Sequence, residues 1–113
     1  MVNTVSTTQQ TMFGVFELDT MGTIVYSRPA NGQQPQSIVG RNFFEDVAPF
    51  KNISAFRRHI DSFARNDHRV ESFNFNCQFD EVDTLPIKVM LVRISEREQN
   101  ERTKLTIVDI RRA

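Results

Sequence analysis

At 113 residues the chain has the length of one compact domain, able to bury roughly two thirds of the surface its unfolded form exposes. Its 14 Lys and Arg balance 14 Asp and Glu with no dense basic run, which argues against a phosphate-binding face for nucleic acid, and no apolar run approaches the roughly 20 residues of a membrane span. A lone Cys77 excludes an internal disulfide and a cysteine-rich zinc site.

With no basic-then-apolar leader at the start either, the expectation is a soluble cytoplasmic protein. Ten Phe against one Tyr and no Trp is a marked skew; phenylalanine carries bulk without a polar handle, so most of these rings are expected in a core.

Residues 1–11 are polar, rich in Thr and Gln and without apolar periodicity, and read as a flexible N-terminal segment ahead of a domain over residues 12–113. Phe13 to Leu18 and Thr23 to Tyr26, separated by a turn containing Gly22, predict a β-hairpin. Ser27 to Gln36 holds Pro29, Gly32 and Pro35 among polar side chains and predicts a crossing loop. Gly40 to Phe50, GRNFFEDVAPF, is too irregular for a long helix and too polar for a central strand, and its adjacent Glu45 and Asp46 suit the first turn of a short helical piece.

After it, Phe56, Ile60 and Phe63 recur at helical spacing and predict a helix over 53–65, with Asn52 or Ser54 available to cap it. From Phe73 the period becomes two: Phe73, Phe75, Cys77 and Phe79 alternate with Asn74, Asn76, Gln78 and Asp80, predicting a strand with one buried face. Ile87 to Ile94 and Leu105 to Ile110 predict two more strands, joined by the charged Ser95 to Lys104 as a long hairpin loop. The order predicts an α+β domain, a five-stranded antiparallel sheet with its helices on one face.

Two stretches carry a family resemblance. Leu18 to Tyr26, LDTMGTIVY, resembles the opening hairpin of PAS sensor domains, and Ile38 to Phe50, IVGRNFFEDVAPF, resembles the segment of photoactive yellow protein and its PAS relatives that leads into the chromophore-bearing residue. The likeness covers about residues 12 to 112 and implies a PAS fold. In photoactive yellow protein a cysteine that carries a p-coumaroyl thioester follows the proline, whereas this chain has Phe50, and carbon cannot replace sulfur in that bond. Tyr26 falls where the family has a tyrosine that hydrogen-bonds the chromophore, while Ala30 and Asn31 stand where its acidic partner is expected. The resemblance therefore implies the sensor scaffold without p-coumaroyl photochemistry.

A benzyl group beside Phe43, Phe44 and Val47 would bury on the order of 200 Å² and fill the former pigment space. The other reading is a pocket that still accepts a flat apolar ligand, bounded by Tyr26, Phe43, Phe44, Val47, Phe50, Phe56, His59, Phe73, Phe75 and Cys77. His59 borders the apolar stripe of the helix, and PAS domains that bind haem use a helical histidine as axial ligand; beside Arg57 and Arg58 it also reads as a boundary residue with one wet nitrogen. Cys77 reads as a small apolar residue. Asn74, Asn76 and Gln78 form a polar ladder on the other sheet face, suited to a reversible protein contact.

No serine elbow, phosphate-cradling glycine loop or histidine pair at metal-ligand spacing is present in the sequence, so no enzyme is expected. The expectation is a non-catalytic PAS module of bacterial signalling, contacting a protein partner, a fused effector domain or a second copy as a homodimer, with no cofactor. Alternatives are a sensor of haem or another small ligand, and a small enzyme or lipid-binding protein on a similar cavity-forming sheet.

Overall fold

The computed structural model describes residues 12–30, 38–48, 50–80, 82–98 and 101–113. The expected flexible segment 1–11 and residues 31–36 of the expected crossing loop lie outside them.

Five strands form one antiparallel sheet: β1 (Gly14–Leu18), β2 (Ile24–Pro29), β3 (Val70–Gln78), β4 (Thr84–Glu98) and β5 (Glu101–Arg112), in the order β2-β1-β5-β4-β3. β2 and β3 are therefore the edges. One helix, α1 (Ile53–Arg65), and a five-residue π-helical turn, Phe43–Val47, complete the regular structure among the described residues. Helix α1 occupies the expected span and buries Phe56, Ile60 and Phe63. Those three lie on one face because they are four and three residues apart, and that face seals one side of the sheet.

The core lies between α1, the π-helical turn and the inner sheet face. Register places Phe16, Val108 and Leu91 in one inward row and Ile110 and Val89 in the next, all of them buried. Ser27 faces Phe16 from the edge strand, and its hydroxyl is buried without a partner among the described residues.

Three expectations are corrected, the first being that Ser27 to Pro29, expected to open the crossing loop, belong to β2. Ser95 to Glu98 and Glu101 to Lys104 are strand rather than loop, β4 and β5 pairing from Ile87↔Arg112 to Glu98↔Glu101. Antiparallel pairing satisfies their backbone groups whatever the side chains, so a charged sequence can still form strand. Nor does Asn52 cap α1 through its side chain. Its amide nitrogen donates to the Asn76 carbonyl at 2.8 Å, and its amide oxygen accepts from the Gln78 N–H at 3.0 Å. The side chain thus fastens the start of α1 to the free edge of β3.

Candidate functional site

The segment that carries the resemblance is held by its own polar residues. Asn42 accepts through its side-chain oxygen from the Phe44 and Glu45 N–H groups at 3.0 and 3.1 Å, and Asp46 accepts from the Asn42 N–H at 3.2 Å. These bonds satisfy donors that open the turn and turn Phe43, Phe44 and Val47 into the core. The segment is tied to the β1–β2 turn, where Asn42 donates to the Met21 carbonyl and the Phe43 N–H donates to the Gly22 carbonyl. Gly22 has φ of +86°, and a Cβ there would stand 2.8 Å from the Phe44 ring. Glycine is needed both for the backbone and for the ring.

Phe50 is 3% exposed. Its ring meets Phe56 edge-on at 5.4 Å between centroids, Phe75 at 5.9 Å and Phe79 edge-on at 6.3 Å. Phe56 lies 6.1 Å from Phe43, which lies 5.0 Å from Phe16. These are ordinary spacings of packed aromatic side chains. Of the ten residues expected to bound a pocket, Phe43, Phe44, Val47, Phe50, Phe56 and Cys77 are buried in one core cluster, with Phe73 and Phe75 half-buried against it.

Tyr26 and His59 stand apart. Tyr26 is 47% exposed and pairs with Glu17, whose side chain is on the face opposite to that of Phe16. The tyrosine is therefore on the outer face of the sheet, away from the aromatic cluster. The register shift between Glu17 and Leu18 makes such a placement hard to foresee, since one inserted residue reverses the faces of a strand. His59 is exposed and lies flat on Phe73, ring centroids 4.4 Å apart at 12°. It borders a shallow surface depression with Ala55, Arg58 and Ser62 rather than a space between helix and sheet.

Burial pushes the Cys77 thiol up to about 12, from an ordinary 9.0. At neutral pH it is a thiol, neither a nucleophile nor a ready ligand.

A cleft of about 160 Å³ opens between α1, the β1–β2 turn and the bases of β4 and β5. Of the expected pocket residues only Phe44 lines it, beside Asp19, Arg57, Asp61, Arg93 and Thr106. Arg57 lies over the Phe44 ring at 4.8 Å, and Arg93 over the Phe63 ring at 5.2 Å while donating to the Phe63 carbonyl near the end of α1. A guanidinium at a helix C-terminus is favoured by the helix dipole, so Arg93 serves the fold.

The outer sheet face carries a feature absent from the sequence-based list. Tyr26, Glu17, Ile107, Val92 and Val70 are consecutive cross-strand neighbours spanning all five strands. Four of these five are apolar or aromatic, and Val70 is 55% exposed. In the adjacent row stand Val15 and Met90, separated by Asp109, which holds Arg111 in a two-point pair at 3.2 Å. Asn74, Asn76 and Gln78 are exposed on this same face but at its margin. The signal was present in the sequence: LTIVDI and KVMLVRI are apolar in both phases of the strand period, a pattern of strands that face apolar surroundings on both sides.

Against known proteins the chain is similar to the photoactive yellow protein of Halochromatium salexigens, 31% identical over 70 residues covering 58% of this chain and 56% of that protein. It is also similar to that of Rhodothalassium salexigens, 40% identical over 48 residues covering 39% of this chain and 38% of that protein. The matched stretches thus span about half or less of those relatives. Among solved structures it resembles the PAS domain of Bordetella pertussis BvgS, with a TM-score of 0.56 at 12% identity over 89% of this chain and 76% of that one. No protein-family model matches it.

Proposed function

We propose, from the premise that this chain is a PAS domain of the photoactive yellow protein-like family, that it is a sensory or regulatory module that signals through protein contact and carries no p-coumaroyl pigment. The observation that carries this reading is the apolar row from Tyr26 to Val70 on the sheet face opposite α1. An exposed apolar strip with polar and paired charged groups beside it has the character of a protein-contact surface. The partner is a bacterial protein or an effector domain in the cytoplasm, and Ile107 and Val92 stand at the centre of the contact.

The absence of pigment rests on two side chains. Phe50 stands where the anchoring sulfur would be and is packed on three sides by other rings. Cys77 is buried with a raised pKa, which disfavours thioester formation. The inner face is mostly Phe, Val, Leu and Ile, with Ser27 and Cys77 set apart from each other by register, which does not favour catalysis, and the flat seating of His59 on Phe73 does not favour a haem ligand. No helix among the described residues is long and apolar enough to cross a membrane.

The test places a photo-crosslinkable amino acid at Met90, on the outer face, and in a second variant at Arg58, on the exposed side of α1, in cells that produce the protein. Crosslinks to one protein from Met90 and not from Arg58 are expected. Equal yields from both positions would sink the contact surface, and purified protein with a visible absorption band from a thiol-linked dye would sink the pigment-free reading.

A further inference from the structure

The two edges of the sheet are finished differently. On β2 the outward backbone of Ile24 is occupied, its N–H donating to the Arg41 carbonyl at 2.9 Å and its carbonyl accepting from the Gly40 N–H at 2.7 Å, and the strand ends in Pro29. On β3 only the C-terminal half is covered. Asn52 takes the Asn76 carbonyl and the Gln78 N–H, and the Lys51 N–H donates to the Gln78 carbonyl at 2.6 Å.

Those partners reveal the phase of the strand. Even-numbered residues of β3 direct their backbone groups away from β4, while the Arg69 carbonyl, in the odd phase, accepts from the Arg93 N–H of β4. By the two-residue period, Val70, Ser72 and Asn74 present N–H and carbonyl groups at an edge that no described residue covers. Of the devices that normally blunt an edge, this stretch has a single inward-phase charge, Glu71, and no Lys, Pro or bulge.

We propose that this half-edge pairs with the same stretch of a second copy, antiparallel and two-fold symmetric about Ser72, joining two sheets into one. In that register Val70 faces Asn74 of the second copy, Ser72 faces Ser72, and each pair exchanges both of its hydrogen bonds. A register centred one residue earlier sets Glu71 against Glu71, like charges directly opposed. One centred one residue later requires Asn76, whose carbonyl Asn52 already holds.

A second copy is the fitting occupant for two reasons. The net charge is zero, so two copies have no overall repulsion, and the register places Glu71 across from Phe73 rather than from another charge. The contact closes on itself, because a two-fold pairing uses the same half-edge of both chains and Asn52 ends the ladder. It is separate from the outer-face contact, since the strand joins in the plane of the sheet.

Sedimentation of the purified chain at rising concentration tests the proposal, using the unaltered protein, Ser72→Lys, Ser72→Glu and an equal mixture of the two variants. Ser72 is exposed, so neither variant disturbs the core. The unaltered chain is expected to reach a dimer and nothing larger. Each variant alone should dissociate about fivefold or more readily, because like charges then meet across the axis, and the mixture should regain the dimer as Lys meets Glu. A monomer up to about 1 mM, open-ended polymers, or no recovery on mixing would overturn it. So would a dimer that survives both Ser72 variants and is lost with Val92→Glu, which would assign self-association to the outer face instead.

Discussion

Replacing Phe50 by alanine tests whether this ring is structural filling. The side chain is 3% exposed and wedged against Phe56, Phe75 and Phe79. Transfer of a buried phenyl group to water costs roughly 1.5–3 kcal/mol, and a cavity that the surrounding rings cannot close raises the loss to about 3–5 kcal/mol. For a domain of this size each kcal/mol corresponds to about 4 °C, so the melting temperature should fall by roughly 12–20 °C. Urea unfolding monitored by circular dichroism gives the free energy, with an unchanged slope showing that the same surface is still exposed on unfolding. The space left is lined by aromatic and aliphatic groups, and such cavities stay dry and take up small apolar molecules. Benzene or indole should therefore raise the melting temperature of Phe50→Ala and leave the unaltered protein unmoved. A loss below about 1 kcal/mol would refute the packing argument, because a change that small is typical of surface sites.

Other perturbations follow from the same geometry. Gly22→Ala sets a methyl group 2.8 Å from Phe44 at a φ of +86°, so a loss of roughly 2–4 kcal/mol is expected in urea unfolding, whereas Gly40→Ala, with φ of +93° but open space around it, should lose about 1–2 kcal/mol. Asn52→Ala removes two hydrogen bonds to β3 and should cost about 1–2 kcal/mol, with faster amide exchange at Gln78 as the local signature. With its pKa moved from 9.0 to about 12, Cys77 should react with a disulfide reagent about a thousandfold more slowly than the unfolded chain at pH 8. The raised value also means that the folded state holds the thiol proton more tightly. Its contribution to stability is complete below pH 9 and is lost as pH climbs towards about 12, a decline that Cys77→Ala should lessen in alkaline urea titrations.

Much of the fold was legible because strong periodicities decide it. Phe56, Ile60 and Phe63 placed α1 at its observed bounds, and the alternation around Phe73 to Phe79 found β3. Less legible were features that depend on partners distant in sequence. Asn52 reads as a cap by position, and only the nearness of β3 turns its amide elsewhere. Tyr26 was assigned by likeness to a pigment contact, but the irregular pairing beside Leu18 and the outer row of the sheet decide where it points. The charged Ser95 to Lys104 looks like loop by composition, yet backbone pairing between two strands does not depend on side-chain polarity. The polar alternation marks Asn74, Asn76 and Gln78 within one strand, while the apolar row joins residues of five strands that lie far apart in the chain.

The long β4–β5 ribbon has a mechanical consequence. β1 reaches β5 only as far as Thr106, and β3 reaches β4 only as far as Val92, with one further backbone bond at Arg93. Beyond that point the two strands pair only with each other among the described residues, and an isolated pair of strands is marginally stable in water. Unzipping can start at the tip and stop where the flanking strands begin, so amide protection should climb stepwise from Glu98 towards Leu91. The outer part of this arm is expected to open without the body unfolding, and a load on it would be felt first at Arg93 and its hold on the end of α1.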